Sequence, residues 1–463
     1  MRKLGCLAAV ACCCSGWAAQ ADRESVDLIV THGIVVTMDA KRRVIEDGAV
    51  VARGDEIVAV GAAGAIAGRY EARRTVDARG GLVMPGLINA HTHMAMSLFR
   101  GLAEDRALEE WLKKYIFPAE ARNVTAEFVY WGTKLSMLEM LRGGTTTAAD
   151  MYYFEDDVAR AMKEGGMRGV LGETIIGFPA PDNKNEEAAI TYTQTYLDHW
   201  RGDGLITAAV APHSIYTCSE ELLKRAAELA RRNRAPILTH IAEAPTELEQ
   251  SRKEHGLSPV QYMARIGLLG PDVTGAHCVW VDQADVRTLA RFEVGCSFNP
   301  SSNMKTAAGL SPVPEMLASG VAVGIGSDGP ASNNNQDLFE EMDLGAKLQK
   351  FARMDPTSLP AEQTVALATI AGARALHMEK QIGSLEAGKK ADLIVVDTTA
   401  AHATPMYDAY AQIVYALKAS DVRTTIIGGR IVMDERKMLT LDEPAILAKA
   451  NTYKNQVRAS FGH

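Results

Sequence analysis

Met84-Pro85-Gly86-Leu87-Ile88-Asn89-Ala90-His91-Thr92-His93 is the stretch of sequence that decides the fold. It continues a short apolar run bounded by glycine, so a buried strand is predicted over residues 82–89. Because alternate side chains of a strand share a face, His91 and His93 are predicted to point the same way just beyond its end. Two imidazoles on one face suit either a transition-metal site or a pair of hydrogen-bonded core histidines. The rest of the chain decides between these two interpretations.

The rhythm of the chain after this stretch predicts a (β/α)₈ barrel of the TIM type. Between residues 82 and 374, short apolar strands alternate with stretches whose apolar residues recur at helical spacing. Repeated strand–helix units are typical of α/β folds with a parallel sheet, and eight of them indicate a barrel. The eight strands are predicted over residues 82–89, 145–151, 169–176, 206–212, 236–241, 274–277, 295–298 and 321–327.

The segments on either side of the barrel show the alternation of β structure. Residues 27–31 and 34–38 are predicted to form a hairpin with a turn at His32-Gly33, and residues 424–433 a second hairpin. We expect the two flanking segments to pair into one small β-sandwich. The predicted organisation is a leader over residues 1–21, a first β segment over 22–85, the barrel over 86–380, a second β segment over 381–440 and a C-terminal helix over 441–463.

The first 21 residues have the features of a secretory signal peptide. Arg2 and Lys3 precede an apolar run, and Ala19-Gln20-Ala21 offers the small residues of a cleavage site. Export to the periplasm or the extracellular space is therefore predicted. The run is too short to cross a bilayer, so no stable membrane insertion is expected after its removal. Lipid attachment at Cys12 is an alternative, and a leader that does not function would leave the protein in the cytoplasm.

The composition favours a globular protein that acts on a small molecule. Hydrophobic residues make up 47% of the chain and charged residues 23%, which is the balance of an ordinary soluble domain. The net charge of −8 and the lack of a basic stripe argue against nucleic acid as a partner. A homo-oligomer is compatible with the sequence. Four of the seven cysteines lie in the leader, and Cys218, Cys278 and Cys296 are predicted to be buried thiols rather than a disulfide framework.

Polar side chains cluster at the carboxyl ends of the predicted strands, where barrel enzymes place their active sites. Five of the eleven histidines fall at such positions. Neutral imidazoles and one carboxylate bind a Zn²⁺-like ion and leave a coordination position for water. The residues at strand ends are His91 and His93, His213, His240 with Glu243, His277, and Asp328.

Three of these residues are candidate catalytic groups. A metal-bound water loses a proton near neutral pH, and a carboxyl group that is not a ligand must then move protons to the substrate. Glu243, close in sequence to His240, is the natural shuttle. Asp328 can both bind the metal and accept the proton of the water, and His277 can orient that water.

Six motifs follow one another along the chain, each occurring once: PGLINAHTH (85–93), APHSIYTCS (211–219), HIAE (240–243), GAHCVW (275–280), FNPSSNMK (298–305) and GIGSDGPASNNN (324–335). Together they resemble the amidohydrolase superfamily, and more narrowly its methylthioadenosine/S-adenosylhomocysteine deaminases and chlorotriazine hydrolases. Members with two metal ions carry a modified lysine at the end of the fourth strand, where this chain has His213, so the resemblance implies one ion. That ion is expected to be Zn²⁺, with Fe²⁺ or Mn²⁺ as alternatives. The ligands implied are His91, His93, His240 and Asp328.

The resemblance also implies residues that bind a nucleoside. His213 corresponds to a histidine that contacts the sugar, Glu120 in Phe117-Pro118-Ala119-Glu120 to a glutamate that binds ribose hydroxyls, and Trp111 to an aromatic contact. Glu243 would touch the base. Some relatives hold an amino-acid carboxylate with an arginine after the third strand, but no arginine occurs near Glu173 here. This departure weakens the case for S-adenosylhomocysteine but does not exclude it, since Arg168 or another loop could serve instead.

The sequence therefore predicts a metal-dependent aminohydrolase that deaminates an adenine nucleoside at C6, giving the inosine analogue and ammonia. Methylthioadenosine, S-adenosylhomocysteine and adenosine are the candidate substrates. One alternative is hydrolysis of another heteroaromatic C–N or C–Cl bond, in a triazine, a pterin or a guanine-like ring. A second is a nucleoside-binding protein without catalytic activity.

Overall fold

The computed structural model of the chain describes residues 23–460. The leader predicted over residues 1–21, with Cys12, lies outside the described residues, so export stays a prediction. Residues 461–463 of the predicted C-terminal helix also lie outside them. Between residues 23 and 460, none of the helices combines the length and the apolar character that crossing a membrane requires.

The described strands belong to two sheets, a parallel barrel and a mixed sheet built from both ends of the chain. In chain order they are β1 Glu24–Val36, β2 Val44–Arg53, β3 Glu56–Ala62, β4 Tyr70–Asp77, β5 Leu82–Pro85, β6 Leu87–Thr92, β7 Thr145–Tyr152, β8 Arg168–Ile175, β9 Ile206–Pro212, β10 Ile237–Ile241, β11 Val273–His277, β12 Gly295–Phe298, β13 Ala322–Ile325, β14 Leu393–Val396, β15 Val422–Ile427, β16 Arg430–Asp434 and β17 Lys437–Met438.

Strands β6 to β13 lie side by side in sequence order and are parallel, which confirms the predicted (β/α)₈ barrel. Helices follow the barrel strands and cover the outside of the barrel. The α-helices are Ala63–Arg69, Leu108–Glu110, Phe117–Asn123, Ala126–Arg142, Glu155–Gly165, Glu186–His199, Glu220–Asn233, Pro245–His255, Pro259–Arg265, Gln283–Arg291, Pro300–Lys305, Val313–Ala318, Leu338–Arg353, Ala361–Leu367, Ile370–Ala375, Ala409–Ala411 and Glu443–Ser460; shorter 3₁₀ turns are Met94–Phe99, Ala401–Ala403 and Ala419–Asp421, and π-helical turns are Trp111–Ile116 and Gln412–Ala416.

The helix Glu220–Asn233 shows why these segments fold as they do. The side chain of Ser219 caps its first turn by accepting a hydrogen bond from the backbone N–H of Leu222. Its leucines and alanines recur on one face, which is buried, while its charged residues face the solvent. The same alternation of an apolar strand and an amphipathic helix, repeated around the barrel, buries several hydrophobic clusters, of which one contains residues of strands β9 to β13.

The two flanking segments pair with each other, as predicted, but into one nine-stranded sheet rather than the small β-sandwich expected, and β5 joins them. On one side β5 pairs with β1, and on the other it pairs antiparallel with β14 near the far end of the chain. The hairpin predicted around His32-Gly33 is wrong, because Glu24–Val36 is one strand with an irregular register at that point. His32 has a φ of 53°, which produces a local kink rather than a reversal.

The strand predicted over residues 82–89 is also wrong as a single element. Gly86 divides it into β5, which belongs to the flanking sheet, and β6, which begins the barrel. A Cβ at this position would lie 2.1 Å from Oγ1 of Thr146, so only glycine lets the backbone pass from one sheet to the other here. The apolar run predicts one strand because burial on both faces looks the same in either sheet.

Candidate active site

The predicted strand-end residues gather at the carboxyl end of the barrel. His91 lies at the end of β6, His240 in β10 and His277 at the end of β11, and Asp328 follows β13. The backbone N–H of Asp328 donates to the carbonyl of His91 at 3.0 Å, which brings the first and last barrel strands together. Parallel strands all end at the same rim, and this rim therefore collects residues that are far apart in sequence.

Three imidazoles face one point. The ring nitrogens of His91, His93 and His240 that could bind a metal lie within 4.8 Å of one another. The Nε2 atoms of His93 and His240 are 3.4 Å apart. Imidazole nitrogens at this spacing suit a single ion held between them.

Asp328 presents one carboxylate oxygen to the same point. Its Oδ1 lies 3.4 Å from Nε2 of His91 and 3.3 Å from Nε2 of His93. Its Oδ2 accepts hydrogen bonds from the hydroxyls of Ser302, at 2.6 Å, and Ser332, at 3.0 Å. The two serines thus fix the rotamer of Asp328 and leave Oδ1 directed at the imidazoles.

Backbone carbonyls orient two of the imidazoles. Nδ1 of His93 lies 2.6 Å from the carbonyl oxygen of Met151, and Nδ1 of His240 lies 2.8 Å from that of His213. Because a carbonyl only accepts, Nδ1 of each ring must carry the proton and donate it. Nε2 of each neutral ring is then unprotonated and available as a metal ligand.

The electrostatics of the cluster favour the protonation states that a cation needs. Burial lowers the pKa of His91 to about 4, although the nearby Asp328 carboxylate opposes the shift. Burial also holds the pKa of His240 well below its usual range. For Asp328, burial would raise the pKa, but the imidazoles of His91 and His277 hold it well below its usual range. Neutral imidazoles beside an ionised carboxylate are the ligand states of a divalent metal.

The structure also contains a direct sign that a group belongs between these side chains. Nε2 of His91 is buried and has no hydrogen-bond partner among the described residues. An unpartnered polar atom in a protein interior costs free energy, whereas a metal ion would use its lone pair. A divalent metal ion therefore fits this site. The available ligands are His91, His93, His240 and Asp328.

Glu243 and His277, the other two candidate catalytic residues, lie beside the cluster. Nε2 of His277 is 3.7 Å from Oε1 of Glu243, and its Nδ1 is 3.0 Å from Oδ1 of Asn303. Burial raises the pKa of Glu243, and Asp328 adds to that shift. Burial would lower the pKa of His277, but the carboxylates of Glu243 and Asp328 raise it above its usual range. A glutamic acid that retains its proton more readily is suited to act as a proton donor.

The cluster forms the floor of a cavity that opens to the surface in two parts. An inner part of about 60 Å³ lies directly over the imidazoles, and an outer part of about 330 Å³ continues from it. Leu108, Leu112, Phe117, Tyr216 and Glu243 line both parts. The cavity is therefore mostly apolar with a few polar groups at its base, which is typical of a small-molecule site.

Besides Glu243, three further predicted nucleoside-binding residues line the inner cavity. They are Trp111, Glu120 and His213. Glu120 is buried and accepts a hydrogen bond from the hydroxyl of Tyr152 at 2.7 Å. Burial raises the pKa of Glu120 to about 8, in spite of this hydrogen bond, and lowers the pKa of His213 to about 3. His213 also lies 2.9 Å from the hydroxyl of Thr217, which fixes its ring.

Some residues of the site are not evident from the sequence. Tyr152 contacts Glu120, Ser302 and Ser332 hold Asp328, and Asn303 holds His277. The serines and Asn303 lie in the FNPSSNMK and GIGSDGPASNNN motifs, whose polar runs after strand ends were the available signal. Tyr152 gave no such signal, because an aromatic residue at the end of a buried strand looks like a core residue.

One suggestion from the sequence is wrong. Arg168 begins β8, at the barrel end opposite to the cavity, so it cannot hold a substrate there. Its guanidinium instead forms a buried two-point ion pair with Asp392, at 2.7 and 3.2 Å. Within residues 23–460, Cys218, Cys278 and Cys296 are buried free thiols, as predicted.

Comparison with known proteins agrees with this geometry. The model of the Amidohydrolase family matches residues 82–432. A 5-methylthioadenosine/S-adenosylhomocysteine deaminase of Syntrophobacter fumaroxidans is 48% identical, over 91% of this chain and 96% of its own length. A 5'-deoxyadenosine deaminase of Methanosarcina acetivorans is 42% identical, over 94% and 99% of the two chains. The crystal structure of an adenosine deaminase from Xanthomonas campestris with bound zinc superposes with a TM-score of 0.93, at 35% identity over 95% and 100%.

Proposed function

Because the chain belongs to the amidohydrolase family, we propose that it is a metal-dependent deaminase of adenine nucleosides. The observation that carries the proposal is that the candidate metal ligands and a candidate proton donor lie together at the base of one cavity. His91, His93 and Asp328 face a common point, and Glu243 lies beside them with a raised pKa. The names of the relatives, a methylthioadenosine/S-adenosylhomocysteine deaminase and a 5'-deoxyadenosine deaminase, support the substrate class.

The proposed cofactor is one Zn²⁺ ion held by the four available ligands. Three imidazole nitrogens and one carboxylate oxygen form a donor set that zinc accepts, and the similar Xanthomonas campestris protein contains zinc. When bound, such an ion makes water acidic enough to act as a nucleophile near neutral pH. His91, His93, His240 and Asp328 would hold it.

The residues around this point carry the protons of the reaction. Water adds to C6 of the purine, and Asp328 accepts the proton that the water loses. Glu243 donates a proton to the adjacent ring nitrogen, so that charge does not build up on the ring. His277, fixed by Asn303, hydrogen-bonds the attacking oxygen. Asp328 then returns its proton to the amino group, the bond from C6 to that nitrogen breaks and ammonia leaves, while the hydroxyl on C6 gives its proton to Glu243 and becomes the carbonyl of the inosine analogue.

The rest of the nucleoside would lie further out in the cavity. Glu120, held by Tyr152, would bind the ribose hydroxyls. His213 would contact the sugar, and Trp111 would provide an apolar wall. Burial of the sugar against these groups would exclude water from the reacting ring, which strengthens the electrostatic contacts at C6.

The cavity favours a nucleoside with an uncharged 5' group. None of the described residues that line its inner part is a lysine or an arginine. The outer part has Lys113 at its edge, but this side chain is exposed and pairs with Glu109. An amino-acid carboxylate would therefore lose water without gaining a buried cation. Methylthioadenosine and 5'-deoxyadenosine are the proposed substrates, ahead of S-adenosylhomocysteine.

A substrate panel tests the proposal. The zinc-loaded protein is incubated with methylthioadenosine, 5'-deoxyadenosine, adenosine, S-adenosylhomocysteine, guanine and an aminotriazine, and released ammonia is measured. We expect the first two to have the highest kcat/KM. Preference for guanine or the triazine would contradict adenine-nucleoside deamination, and binding of nucleosides without release of ammonia would show a binding protein instead.

A further inference from the structure

Glu247 is a buried carboxylate with no place in the proposed reaction. Glu247 is 3% exposed, although it lies in the first turn of a helix and lines the outer part of the cavity. Its two oxygens accept hydrogen bonds from two consecutive backbone amides, Ala242 N at 3.0 Å and Glu243 N at 2.9 Å. These two hydrogen bonds, the Glu247 grip, hold the backbone segment that joins β10 to Glu243, the proposed proton donor.

This contact differs from an ordinary helix cap. A glutamate three residues after the N-cap usually bonds the backbone N–H of the N-cap residue itself, which here is Ala244. Glu247 instead reaches past Ala244 to the two residues before it. The contact therefore stabilises the backbone of residues 242–243 more than the first turn of the helix.

The gripped segment has an unfavourable backbone conformation. Ala242 has a φ of 50°, in the left-handed region that a non-glycine residue adopts only at a cost. This turn is what directs the side chains of His240 and Glu243, three residues apart, into the same cavity. Hydrogen bonds to both amides of the turn are a direct way to hold it.

We propose that Glu247 is a positioning residue that fixes the backbone of residues 242–243 and so aims the Glu243 carboxyl at the substrate ring. The inference rests on the proposed function of Glu243 as proton donor. It predicts that loss of the grip affects the chemical step much more than the binding of substrate, because a small misplacement of a catalytic group lowers the rate steeply.

The test compares Glu247→Gln with Glu249→Gln, an exposed glutamate of the same helix that serves as the matched control. In Glu247→Gln, the introduced amide keeps the size of the side chain but can accept only one of the two N–H groups. We expect kcat of Glu247→Gln to fall roughly 10- to 100-fold with KM and zinc content within about twofold of the parent. The control should keep both constants. Unchanged kcat, or a loss of kcat that only follows a loss of bound zinc, would overturn the proposal.

A second measurement does not depend on turnover. Amide hydrogen exchange over residues 240–247 should become faster in Glu247→Gln and stay unchanged in Glu249→Gln, since the two gripped amides lose protection. Unchanged exchange would show that Glu247 does not hold the turn. A parent protein that releases no ammonia from any adenine nucleoside would defeat the proposed function, while the exchange data would still decide whether the grip exists.

Discussion

Asn89 and Ser327 join the first and last strands of the barrel through two buried hydrogen bonds. Nδ2 of Asn89 donates to the hydroxyl of Ser327 at 2.7 Å, and the backbone N–H of Ser327 donates to Oδ1 of Asn89 at 3.0 Å. His91 lies two residues after Asn89, and Asp328 directly follows Ser327. The carboxamide of Asn89 therefore sets the spacing between two available metal ligands that come from opposite ends of the barrel sequence.

Replacement of this carboxamide should loosen the metal site. Asn89→Leu keeps the size of the side chain but leaves the buried N–H of Ser327 without a partner, which costs about 1–3 kcal/mol of unfolding free energy. Zinc affinity should fall about 10- to 100-fold, as for other residues that support metal ligands. Denaturant unfolding and competition with a chelator measure the two effects. Asn451→Leu, at an exposed position of the C-terminal helix, is the control. An unchanged zinc affinity in Asn89→Leu would show that the Asn89–Ser327 contact does not support the metal site.

His91 and His213 should differ in what their loss removes. The His91→Asn variant is expected to bind well below one equivalent of metal, because Nε2 of His91 faces the other imidazoles and has no hydrogen-bond partner among the described residues. The His213→Asn variant should keep its metal and show a raised KM for the nucleoside. Elemental analysis of both purified proteins checks the difference. Full metal content in His91→Asn would mean that the ligand set is wrong.

Glu243→Gln should separate metal binding from turnover. An amide cannot donate a proton to the purine ring as a carboxylic acid does, so kcat is expected to fall by about 10²–10⁴. Zinc content should stay the same, because Glu243 is not among the available ligands. Steady-state rates of ammonia release and elemental analysis are the measurements. Turnover at the rate of the parent would remove Glu243 from the mechanism.

The sequence predicted the residues of the site better than the elements that carry them. Polar side chains at the carboxyl ends of apolar strands could be recognised, since all strands of a parallel barrel end at one rim. The change of sheet at Gly86 could not be recognised, because an apolar run indicates that a strand is buried but does not indicate which sheet the strand joins. The kink at His32 resembles a hairpin turn in sequence for a similar reason. A residue with a positive φ, as His32 has here, occurs in a β-bulge as well as in a hairpin turn, and the sequence does not distinguish the two.

Side chains that act through other residues were also beyond prediction. Tyr152 contacts Glu120, which is distant from it in sequence, and Glu247 contacts the backbone of Glu243, four residues earlier. Neither contact is evident from the residue type or from its neighbours in sequence. Tyr152 reads as a core aromatic, and Glu247 reads as part of the solvated face of a charged helix. Only the packing of the helix against the barrel rim shows that this carboxylate is buried.

The buried pair of Arg168 and Asp392 should matter for stability and not for catalysis. Asp392→Asn would leave the guanidinium of Arg168 buried without a counter-charge, which costs roughly 3–5 kcal/mol of unfolding free energy. The pair lies at the barrel end opposite to the cavity, so kcat and KM should stay within about twofold wherever the variant is folded. Asp434→Asn, which breaks an exposed pair with Arg74, is the control and should cost at most about 1 kcal/mol. Equal losses in the two variants would contradict this prediction.

Stability should depend on pH through Glu341, a fully buried residue. Burial raises its pKa from the ordinary 4.5 to about 8, against hydrogen bonds from Ser301 and Asn333 that favour the ionised form. The folded protein then keeps a proton that the unfolded chain loses above pH 4.5. The contribution of Glu341 to the free energy of unfolding is therefore fully present below pH 4.5 and is lost as the pH rises through about 8.

Glu341→Gln, which is neutral at every pH, should therefore show a flatter fall of unfolding free energy between pH 5 and pH 8 than the parent. Denaturant unfolding at several pH values measures the slope, and the difference between parent and variant isolates the one group. Glu340→Gln, an exposed neighbour on the same helix, should keep the slope of the parent. If the two variants fall equally steeply, Glu341 is ionised in the folded protein and its hydrogen bonds outweigh its burial.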